Sequence, residues 1–180
     1  ATIAPDATAQ AVFVAAGPGI ISGLDVAATT FSAIDPAVTF LPEVADGQRV
    51  SPKAVVARVS GSARAILTGE RVALNFLGRM SGIATLTRAY VKAIEGTKAQ
   101  IVDTRKTTPG MRLLERYAVR CGGGTNHRHG LYDAVLVKDN HLEGVPPERI
   151  AATVFDMLNR LGASGRATTF VEVEAQTLRQ

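Results

Sequence analysis

The second half of the chain repeats one pattern, in which a short run suited to a strand is followed by polar residues and then by a helical periodicity. The strand candidates cover residues 100–102, 134–137 and 169–174. Strands that alternate with helices in this way form parallel sheets or barrels, so the pattern predicts an α/β fold. Because such folds carry their chemistry at the carboxyl ends of the strands, the polar residues after each run are the first candidates for function.

Local signals set the expected helix boundaries. Thr108 is a good N-cap and Pro109 a good first residue for the helix after the first strand candidate, and Pro147 starts the next helix. A further helix is expected from Gln176 onward, and Asp25 is expected to cap a short helix in the first half. The helix after Pro109 should bury an apolar stripe made of Leu113, Leu114, Tyr117 and Ala118.

The first half of the chain has a different character. Residues 1–64 are β-rich, and a helical period follows them, with an expected bend between residues 78 and 82 and an end at Gly96. We therefore predict a β-rich N-terminal α/β domain with connecting helices over residues 1–96, and the first part of a barrel-type catalytic domain over residues 97–180. A closed eight-stranded barrel takes about 250 residues, so the barrel is expected to be incomplete, truncated after its third clear strand.

The polar residues after the strand candidates are rich in positive charge. Arginine binds a carboxylate or phosphate through two parallel hydrogen bonds, whereas lysine acts as a point charge. Ordinary salt bridges with Asp103, Asp133 and Asp139 are the alternative, but the recurrence of cations after successive strands favours one shared anion site. Glu174, at the end of the last strand candidate, could hold Mg²⁺ together with water and phosphate oxygens. The residues of the predicted anion site are Arg105, Lys106, His127, Arg128 and Lys138.

Two further motifs leave alternatives open. The glycines at 122–124 could either cradle a phosphate through their backbone N–H groups or end the preceding helix. Lys138 ends a strand candidate, as a Schiff-base lysine does in barrel aldolases, and neighbouring cations would favour the neutral amine that this chemistry needs. Neither a P-loop nor a G-x-G-x-x-G motif is present, which disfavours ATPase and dinucleotide-binding functions.

Bulk properties exclude several other classes. The net charge of +4 suits small phosphorylated ligands better than nucleic acid, because aromatic residues make up only 5% of the chain and are scattered. No run approaches the ~18 apolar residues of a membrane span. The single Cys121 fits a reducing compartment, so we expect a cytoplasmic protein, and the cysteine and histidines show no standard zinc spacing.

Four clusters of residues stand out along the chain, at 104–107, 122–128, 137–141 and 171–174. Taken together, they resemble the quinolinate phosphoribosyltransferase family. They occur in the family's order and, with the stretches 68–71 and 74–75, extend the similarity over nearly all of the chain. The resemblance implies a β-rich N-terminal domain and an incomplete, TIM-like α/β barrel.

The resemblance also implies a reaction, that of a decarboxylating glycosyltransferase of the pentosyl class. Quinolinate and 5-phosphoribosyl 1-diphosphate react with Mg²⁺ present to give nicotinate mononucleotide, pyrophosphate and CO₂, a step of NAD biosynthesis. Lys138 is similar to a contact with both substrates, Glu174 to a ligand of the ribose hydroxyls or the metal, and Arg71 to an arginine donated by a neighbouring subunit, which implies at least a homodimer. The residues that resemble the quinolinate carboxylate ligands are Arg105, Lys106, His127 and Arg128.

The family pattern extends beyond this sequence at both ends. It continues past Glu174 into further strands and starts with helices that precede residue 1, so we expect a truncated chain. A second alternative follows, in which the fragment is an inactive module for anion binding or dimerisation. A gene that continues into further strand–helix units would argue against this alternative.

Overall fold

The computed structural model describes residues 2–163, 169–175 and 177 of the chain. The chain forms two compact units, Ala1–His127 and Arg128–Gln180, which we call the N-terminal and the C-terminal unit. Compact units need not coincide with domains, so the predicted domain boundary after residue 96 stays a prediction. The described helices include none with the length and apolar character to cross a membrane.

The N-terminal unit contains five strands and three helices within its described residues. The strands are β1 (Thr8–Val14), β2 (Gly19–Ile20), β3 (Thr39–Pro42), β4 (Arg49–Val50) and β5 (Val55–Ser62). The helices are α1 (Leu24–Ile34), α2 (Ala63–Ala93) and α3 (Arg112–Cys121).

An antiparallel sheet with the order β1–β5–β3 forms the base of this unit. Phe13 of β1 lies opposite Ala57 of β5, and Phe40 of β3 lies opposite Val59, so both rings come from residues that flank the central strand. The ring centroids of Phe13 and Phe40 are 5.6 Å apart, and Phe31 of α1 completes the cluster at 6.0 Å from Phe13. Burial of one such ring stabilises the fold by roughly 1.5–3 kcal/mol. The predicted β-rich character of this region is confirmed.

Helix α1 is capped by a residue distant in sequence. The Asp46 carboxylate accepts hydrogen bonds from the backbone N–H groups of Gly23 at 2.9 Å and Leu24 at 3.2 Å. Asp46 therefore meets the positive end of the helix dipole, whereas the predicted cap, Asp25, lies within the first turn. The Tyr117 hydroxyl of α3 donates to the same carboxylate at 2.9 Å. Burial and the Asp46 charge both raise the pKa of Tyr117.

Helix α2 is one continuous helix of 31 residues, and the predicted bend into two helices is wrong. Gly78 and Gly82 are both exposed, and a Cβ built on either would meet no atom within 4 Å. Glycine at an exposed position lowers the stability of a helix by about 1 kcal/mol relative to alanine. The residues of α2 that are buried before and after the two glycines keep the helix continuous. The buried residues of α2 are Ala65, Ile66, Gly69, Ala73, Leu77, Met80, Ala84 and Thr87.

Helix α3 begins three residues later than predicted. Residues 108–111 form a turn instead, in which Met111 N–H donates to the Thr108 carbonyl at 3.0 Å, and the helix starts at Arg112. The predicted buried stripe is also partly wrong, because Leu113 is 68% exposed and Arg116 is buried. The strand predicted at 100–102 is reduced to a single parallel bridge between Val102 and Thr125.

The described part of the C-terminal unit follows a strand–helix–strand order. It contains β6 (Val135–Val137), a 3₁₀ turn (Asp139–His141), α4 (Pro147–Ala163) and β7 (Val171–Val173). The two strands pair in parallel, so the predicted α/β arrangement is confirmed here, as is the helix start at Pro147. The helix predicted from Gln176 onward falls on residues that are largely outside the described ones.

Candidate functional site

The predicted site residues fall in both units. The N-terminal unit holds Arg71, Arg105, Lys106 and His127, and the C-terminal unit holds Arg128, Lys138 and Glu174.

Lys138 and Glu174 directly follow the parallel strands β6 and β7. Glu174 N–H donates to the Val137 carbonyl at 2.8 Å, which extends the pairing of the two strands by one step. The Lys138 ammonium lies 3.6 Å from the Glu174 carboxylate, and both side chains are about half exposed. The structure thus brings these two predicted residues together at the carboxyl edge of the strand pair.

His141 helps to fix the segment that carries Lys138. The Lys138 N–H donates to His141 Nδ1 at 3.0 Å, and the His141 N–H donates back to the Lys138 carbonyl at 3.0 Å. An imidazole that accepts at Nδ1 carries its proton on Nε2 when neutral. The histidine of the 137–141 cluster therefore shapes the turn after β6.

A cavity of about 480 Å³ lies beside Glu174. Its wall includes three other residues with side-chain oxygens, Asp139, Asn140 and Glu143. Within residues 2–163, 169–175 and 177, no group of three or more histidines, cysteines and acids is arranged to hold a metal ion. Mg²⁺ prefers oxygen donors and usually takes only one or two protein carboxylates when phosphates and water complete its shell, so the donor chemistry of this wall suits the ion although it forms no complete site by itself.

In the N-terminal unit, the loop of residues 103–108 (the anion loop) is folded by its threonines. The Thr104 hydroxyl accepts a hydrogen bond from Lys106 N–H at 3.2 Å, and Thr107 N–H donates to the Arg105 carbonyl at 3.0 Å. The Thr107 hydroxyl accepts from Arg112 Nε of α3 at 3.3 Å. These contacts shape the backbone and leave the Arg105 and Lys106 side chains available for other partners.

The end of the anion loop is held between α2 and α3. Arg79 of α2 donates to the Thr108 hydroxyl at 2.8 Å and to the Glu115 carboxylate of α3 at 2.6 Å. Thr108 N–H also donates to Glu115 at 3.3 Å. Burial alone would raise the pKa of Glu115, but the hydrogen bonds from Arg79 and Thr108 hold it below its ordinary value.

The beginning of the anion loop is held by a buried ionic network that the sequence analysis missed. The Asp103 carboxylate accepts from Arg116 Nη1 at 2.9 Å and from His127 N–H at 2.9 Å, and Arg116 Nη2 donates to the His127 carbonyl at 2.8 Å. The Asn126 amide donates to both Asp103 and the Arg116 carbonyl. Arg116 is only 8% exposed. An arginine inside a helix gave no sequence signal that it would be buried.

Asp103 therefore does not neutralise the cations beside it. Among the residues that the structure describes, Arg105 and Lys106 take part in no ion pair, and the Nε of Arg105 is buried without a hydrogen-bond partner. Asp103 has its own partner in Arg116 at 2.9 Å. The salt-bridge alternative is wrong for Asp103, and the positive charge of the anion loop is uncompensated within this part of the chain.

The two other acids of that alternative bind backbone groups. Asp133 accepts hydrogen bonds from His129 N–H at 2.7 Å and Gly130 N–H at 2.9 Å, and these bonds lower its pKa. Asp139 accepts from Asn140 N–H at 2.7 Å. The Asp133 carboxylate thus helps to shape the loop before β6, and the Asp139 carboxylate helps to shape the turn after it.

The glycines at 122–124 end helix α3 and do not form a phosphate cradle. Their three N–H groups donate to the carbonyl groups of Ala118, Arg120 and Val119 at 3.0, 2.8 and 3.0 Å, the pattern of a Schellman motif. Gly123 has a φ of +91°, which this motif requires. With all three N–H groups occupied, the phosphate alternative is wrong.

The glycines before and after Gly123 are required by space. A Cβ at Gly122 would lie 2.5 Å from the Ala84 carbonyl oxygen of α2, and one at Gly124 would lie 2.7 Å from Val119 Cγ1. Contacts this short do not occur for real Cβ atoms. The turn after α3 therefore packs directly on α2.

Arg71 is exposed on the outer face of α2. Leu67 and Leu74, which are 53% and 43% exposed, share its helical stripe at i−4 and i+3. No ion pair of Arg71 occurs within the described residues. The arginine thus lies on a partly apolar surface. In the sequence it is distant from the other predicted site residues of the N-terminal unit.

Comparison with protein families gives two matches that together cover almost the whole chain. The family model described as the quinolinate phosphoribosyl transferase N-terminal domain matches residues 1–81. The model for the C-terminal domain of the same family matches residues 83–180.

Individual relatives agree with these matches. A probable nicotinate-nucleotide pyrophosphorylase (carboxylating) of Synechocystis is 53% identical over 134 residues, which are 74% of this chain and 45% of that protein. The protein of the same name from Bacillus subtilis is 39% identical over 97% of this chain and 62% of its own length. The crystal structure of NadC from Streptococcus pyogenes superposes with a TM-score of 0.87 at 40% identity, covering 98% of this chain and 60% of that one. The chain thus spans roughly half to three fifths of the relatives that it matches.

Proposed function

Because the chain belongs to the quinolinate phosphoribosyltransferase family, we propose that it forms part of an enzyme that transfers the phosphoribosyl group of 5-phosphoribosyl 1-diphosphate to quinolinate. The products would be nicotinate mononucleotide, pyrophosphate and CO₂, and the reaction would serve NAD biosynthesis. The fold proposed for the whole enzyme is a β-rich N-terminal domain and a TIM-like barrel, of which the β6–α4–β7 unit would be one repeat.

The observation that carries this proposal is the uncompensated charge of the anion loop. Arg105 and Lys106 have no ion-pair partner among the described residues, while the neighbouring Asp103 is already paired with Arg116. Quinolinate is a dicarboxylate, and two adjacent cations on a preformed loop suit its two carboxylates. His127 and Arg128 would supply further donors to the same ligand.

The proposed chemistry requires electrostatic stabilisation and no covalent nucleophile. The quinolinate ring nitrogen attacks C1 of the ribose, and the C1–O bond breaks with its electron pair leaving on pyrophosphate. The pyridinium then makes loss of the adjacent carboxylate feasible, because the electron pair left on the ring carbon is stabilised by the positive nitrogen before a proton replaces CO₂. Lys138 would contact both substrates and stabilise the developing negative charge.

Glu174 would hold the ribose hydroxyls or a Mg²⁺ ion, with Asp139 in the same cavity wall. When bound, Mg²⁺ would neutralise part of the negative charge on the diphosphate. The Glu174 carboxylate, 3.6 Å from the Lys138 ammonium, would also hold that lysine in place.

A homodimer or larger homo-oligomer is part of the proposal, with Arg71 shared across subunits. Support comes from the exposed leucines on either side of Arg71, since a second copy of the chain would cover them. We also propose a cytoplasmic location, which rests on the single cysteine and its free thiol.

The aldolase alternative has less support. Within its own unit, Lys138 lies beside a carboxylate, whereas the alternative called for a crowd of cations. Borohydride reduction in the presence of carbonyl substrates, followed by mass spectrometry, tests it directly. A reduced adduct on Lys138 would revive the alternative.

The main test is an assay of the protein that carries this chain with quinolinate, 5-phosphoribosyl 1-diphosphate and Mg²⁺. We expect formation of nicotinate mononucleotide, and Arg105→Ala should abolish it. Arg58→Ala is the matched control, because Arg58 forms an exposed ion pair with Glu43 in the N-terminal sheet. Quinolinate binding without turnover would instead support the inactive anion-binding fragment.

A further inference from the structure

We propose that Arg116 is a positioning residue for quinolinate binding, which acts by holding the anion loop and the backbone of His127 in one fixed geometry. The inference rests on the proposed function, because it concerns how the same ligand would be held. Arg116 itself need not touch the substrate, since both of its terminal nitrogens have protein partners.

One face of α3 serves as the support for the anion loop. Arg112, Glu115 and Arg116 occupy positions i, i+3 and i+4, which lie on the same side of a helix. They bind respectively the Thr107 hydroxyl, the end of the loop at Thr108, and its beginning at Asp103. This spacing is the one expected of a buried apolar stripe. Here three charged side chains occupy it, and all three contact the same loop.

Arg116 is the member of this face that reaches both predicted ligand clusters of the N-terminal unit. Its Nη1 donates to Asp103 at 2.9 Å, two residues before Arg105. Its Nη2 donates to the carbonyl of His127 at 2.8 Å, and Asp103 accepts from the N–H of the same residue at 2.9 Å. The backbone of His127 is therefore bound on both sides by one ion pair.

The Arg116–Asp103 ion pair is expected to contribute more to the geometry of the anion loop than to the stability of the fold. Both partners are almost fully buried, with side-chain exposures of 9% and 6%. A buried ion pair adds little net stability, because desolvation offsets most of the attraction. The planar guanidinium, in contrast, fixes two acceptors in one relative orientation, which a lysine ammonium cannot do. Displacement of a binding group by about 1 Å can lower a rate by about 100-fold.

The test compares Arg116→Lys with Arg58→Lys, which makes the same change in an exposed ion pair of the N-terminal sheet. We expect Arg116→Lys to raise the Kd of quinolinate, measured by calorimetry, by about tenfold or more, with a similar rise in KM. The Kd of 5-phosphoribosyl 1-diphosphate should change by less than about twofold, since the anion loop is proposed to bind quinolinate. Arg58→Lys should change neither constant.

A double-mutant cycle separates positioning from a general loss of structure. If Arg116 acts through Arg105, then Arg116→Lys should add little to the loss caused by Arg105→Ala, because the group to be positioned is already absent. A merely structural effect would lower the affinity for both substrates equally. Its effect would also add in full to the loss of quinolinate affinity caused by Arg105→Ala. Either of these results overturns the inference.

Two further outcomes are distinguishable. If Arg116→Lys fails to fold, Asn126→Ala replaces it, because this variant removes two hydrogen bonds of the network without leaving a buried charge unpaired, and the same selective loss of quinolinate affinity is expected. If the unchanged protein neither binds quinolinate nor turns it over, the proposed function fails and the inference with it. An active protein whose Arg116→Lys variant binds quinolinate normally overturns the inference alone.

Discussion

At the scale of single residues, Glu115 is an acid whose carboxylate holds one end of the anion loop. Its carboxylate accepts from Arg79 and Thr108, and these bonds hold its pKa below the ordinary value despite burial. A carboxyl group with a lowered folded pKa stabilises the fold while it is ionised. That contribution is complete above the unfolded pKa of about 4.3 and is lost as the pH falls through the folded pKa.

Glu115→Gln should therefore lower the free energy of unfolding at pH 7 and have no effect in strong acid. The expected loss is about 1 kcal/mol, a modest value because Arg79 is 53% exposed. The difference should shrink as the pH falls through the folded pKa, and it should disappear once the carboxyl is protonated in both folded and unfolded chains. Urea unfolding followed by circular dichroism at pH 7, 5 and 3 measures the difference.

Glu43→Gln is the control, because its partner Arg58 and the carboxylate itself are both exposed. Its effect at pH 7 should stay below about 0.5 kcal/mol. A Glu115→Gln loss that persists unchanged at pH 3 would show that the ionised carboxylate is not the source of the stability.

Glu174 is the residue at which charge should matter for turnover more than for the fold. We expect Glu174→Gln to lower kcat by about 100-fold and to weaken the dependence of the rate on Mg²⁺. Stability should hardly change, because the side chain is 43% exposed. Steady-state assays over a range of Mg²⁺ concentrations test this, with the exposed Glu148→Gln of α4 as the control. Full activity of Glu174→Gln would remove Glu174 from the proposed site.

At the scale of helices and strands, the sequence correctly predicted boundaries that depend on interactions within the element. It missed boundaries that depend on residues distant in the sequence. Helix α4 starts at Pro147 as predicted, because proline at the first position and a regular apolar period act within the helix itself. Helix α3 does not start at Thr108 and Pro109, although the local signal there is equally good, because Thr108 is bound by Arg79 of the distant helix α2 and by Glu115 further along α3. Tertiary contacts of this kind leave no mark on the local pattern.

The same contrast explains the helix caps and glycines. Asp25 looked like a cap because it stands at the right place in the sequence, yet the cap of α1 comes from Asp46, more than twenty residues away. Gly78 and Gly82 looked like a bend, but both lie on the exposed side of α2, where glycine weakens a helix without breaking it.

The continuity of α2 leads to a stability prediction. Gly78→Ala and Gly82→Ala should each raise the free energy of unfolding by about 0.5–1 kcal/mol, since a Cβ at either position meets nothing within 4 Å and reduces the entropy of the unfolded chain. Gly69→Ala should do the opposite, because its Cβ would lie 2.9 Å from the side chains of Phe31 and Ile34. Thermal unfolding of the three variants provides the test. Destabilisation by all three would contradict this prediction.

At the scale of the whole molecule, the types of residue at the candidate site were predictable but their supports were not. The clusters around Arg105, His127, Lys138 and Glu174 could be found because strands that alternate with helices place polar residues at predictable edges. Their positioning depends on contacts such as Arg116 with Asp103, which join residues 13 apart in the chain through a buried network. Pairings at that distance cannot be read from periodicity, since each partner alone looks like a surface charge.

The proposed sharing of Arg71 across subunits predicts complementation. Arg71→Ala and Arg105→Ala should each be inactive alone, because each would disable every site in its own oligomer. In mixed dimers one site collects both substitutions and the other regains both native residues, so unfolding and refolding an equal mixture should restore about a quarter of the activity. Measuring the activity of the refolded mixture against each variant refolded alone tests this. If the mixture stays inactive although dimers form, the two residues act within one chain.

The Schellman turn at residues 122–124 bears on how genetic selection at this protein should be interpreted. A saturation library selected for growth would lose almost every substitution at Gly122 and Gly124, because α2 and Val119 leave no room for a Cβ. Depletion there would be as deep as at Arg105, for an unrelated reason. A screen that equates intolerance with catalysis would assign Gly122 and Gly124 to the substrate, although they only allow the turn after α3 to pack closely.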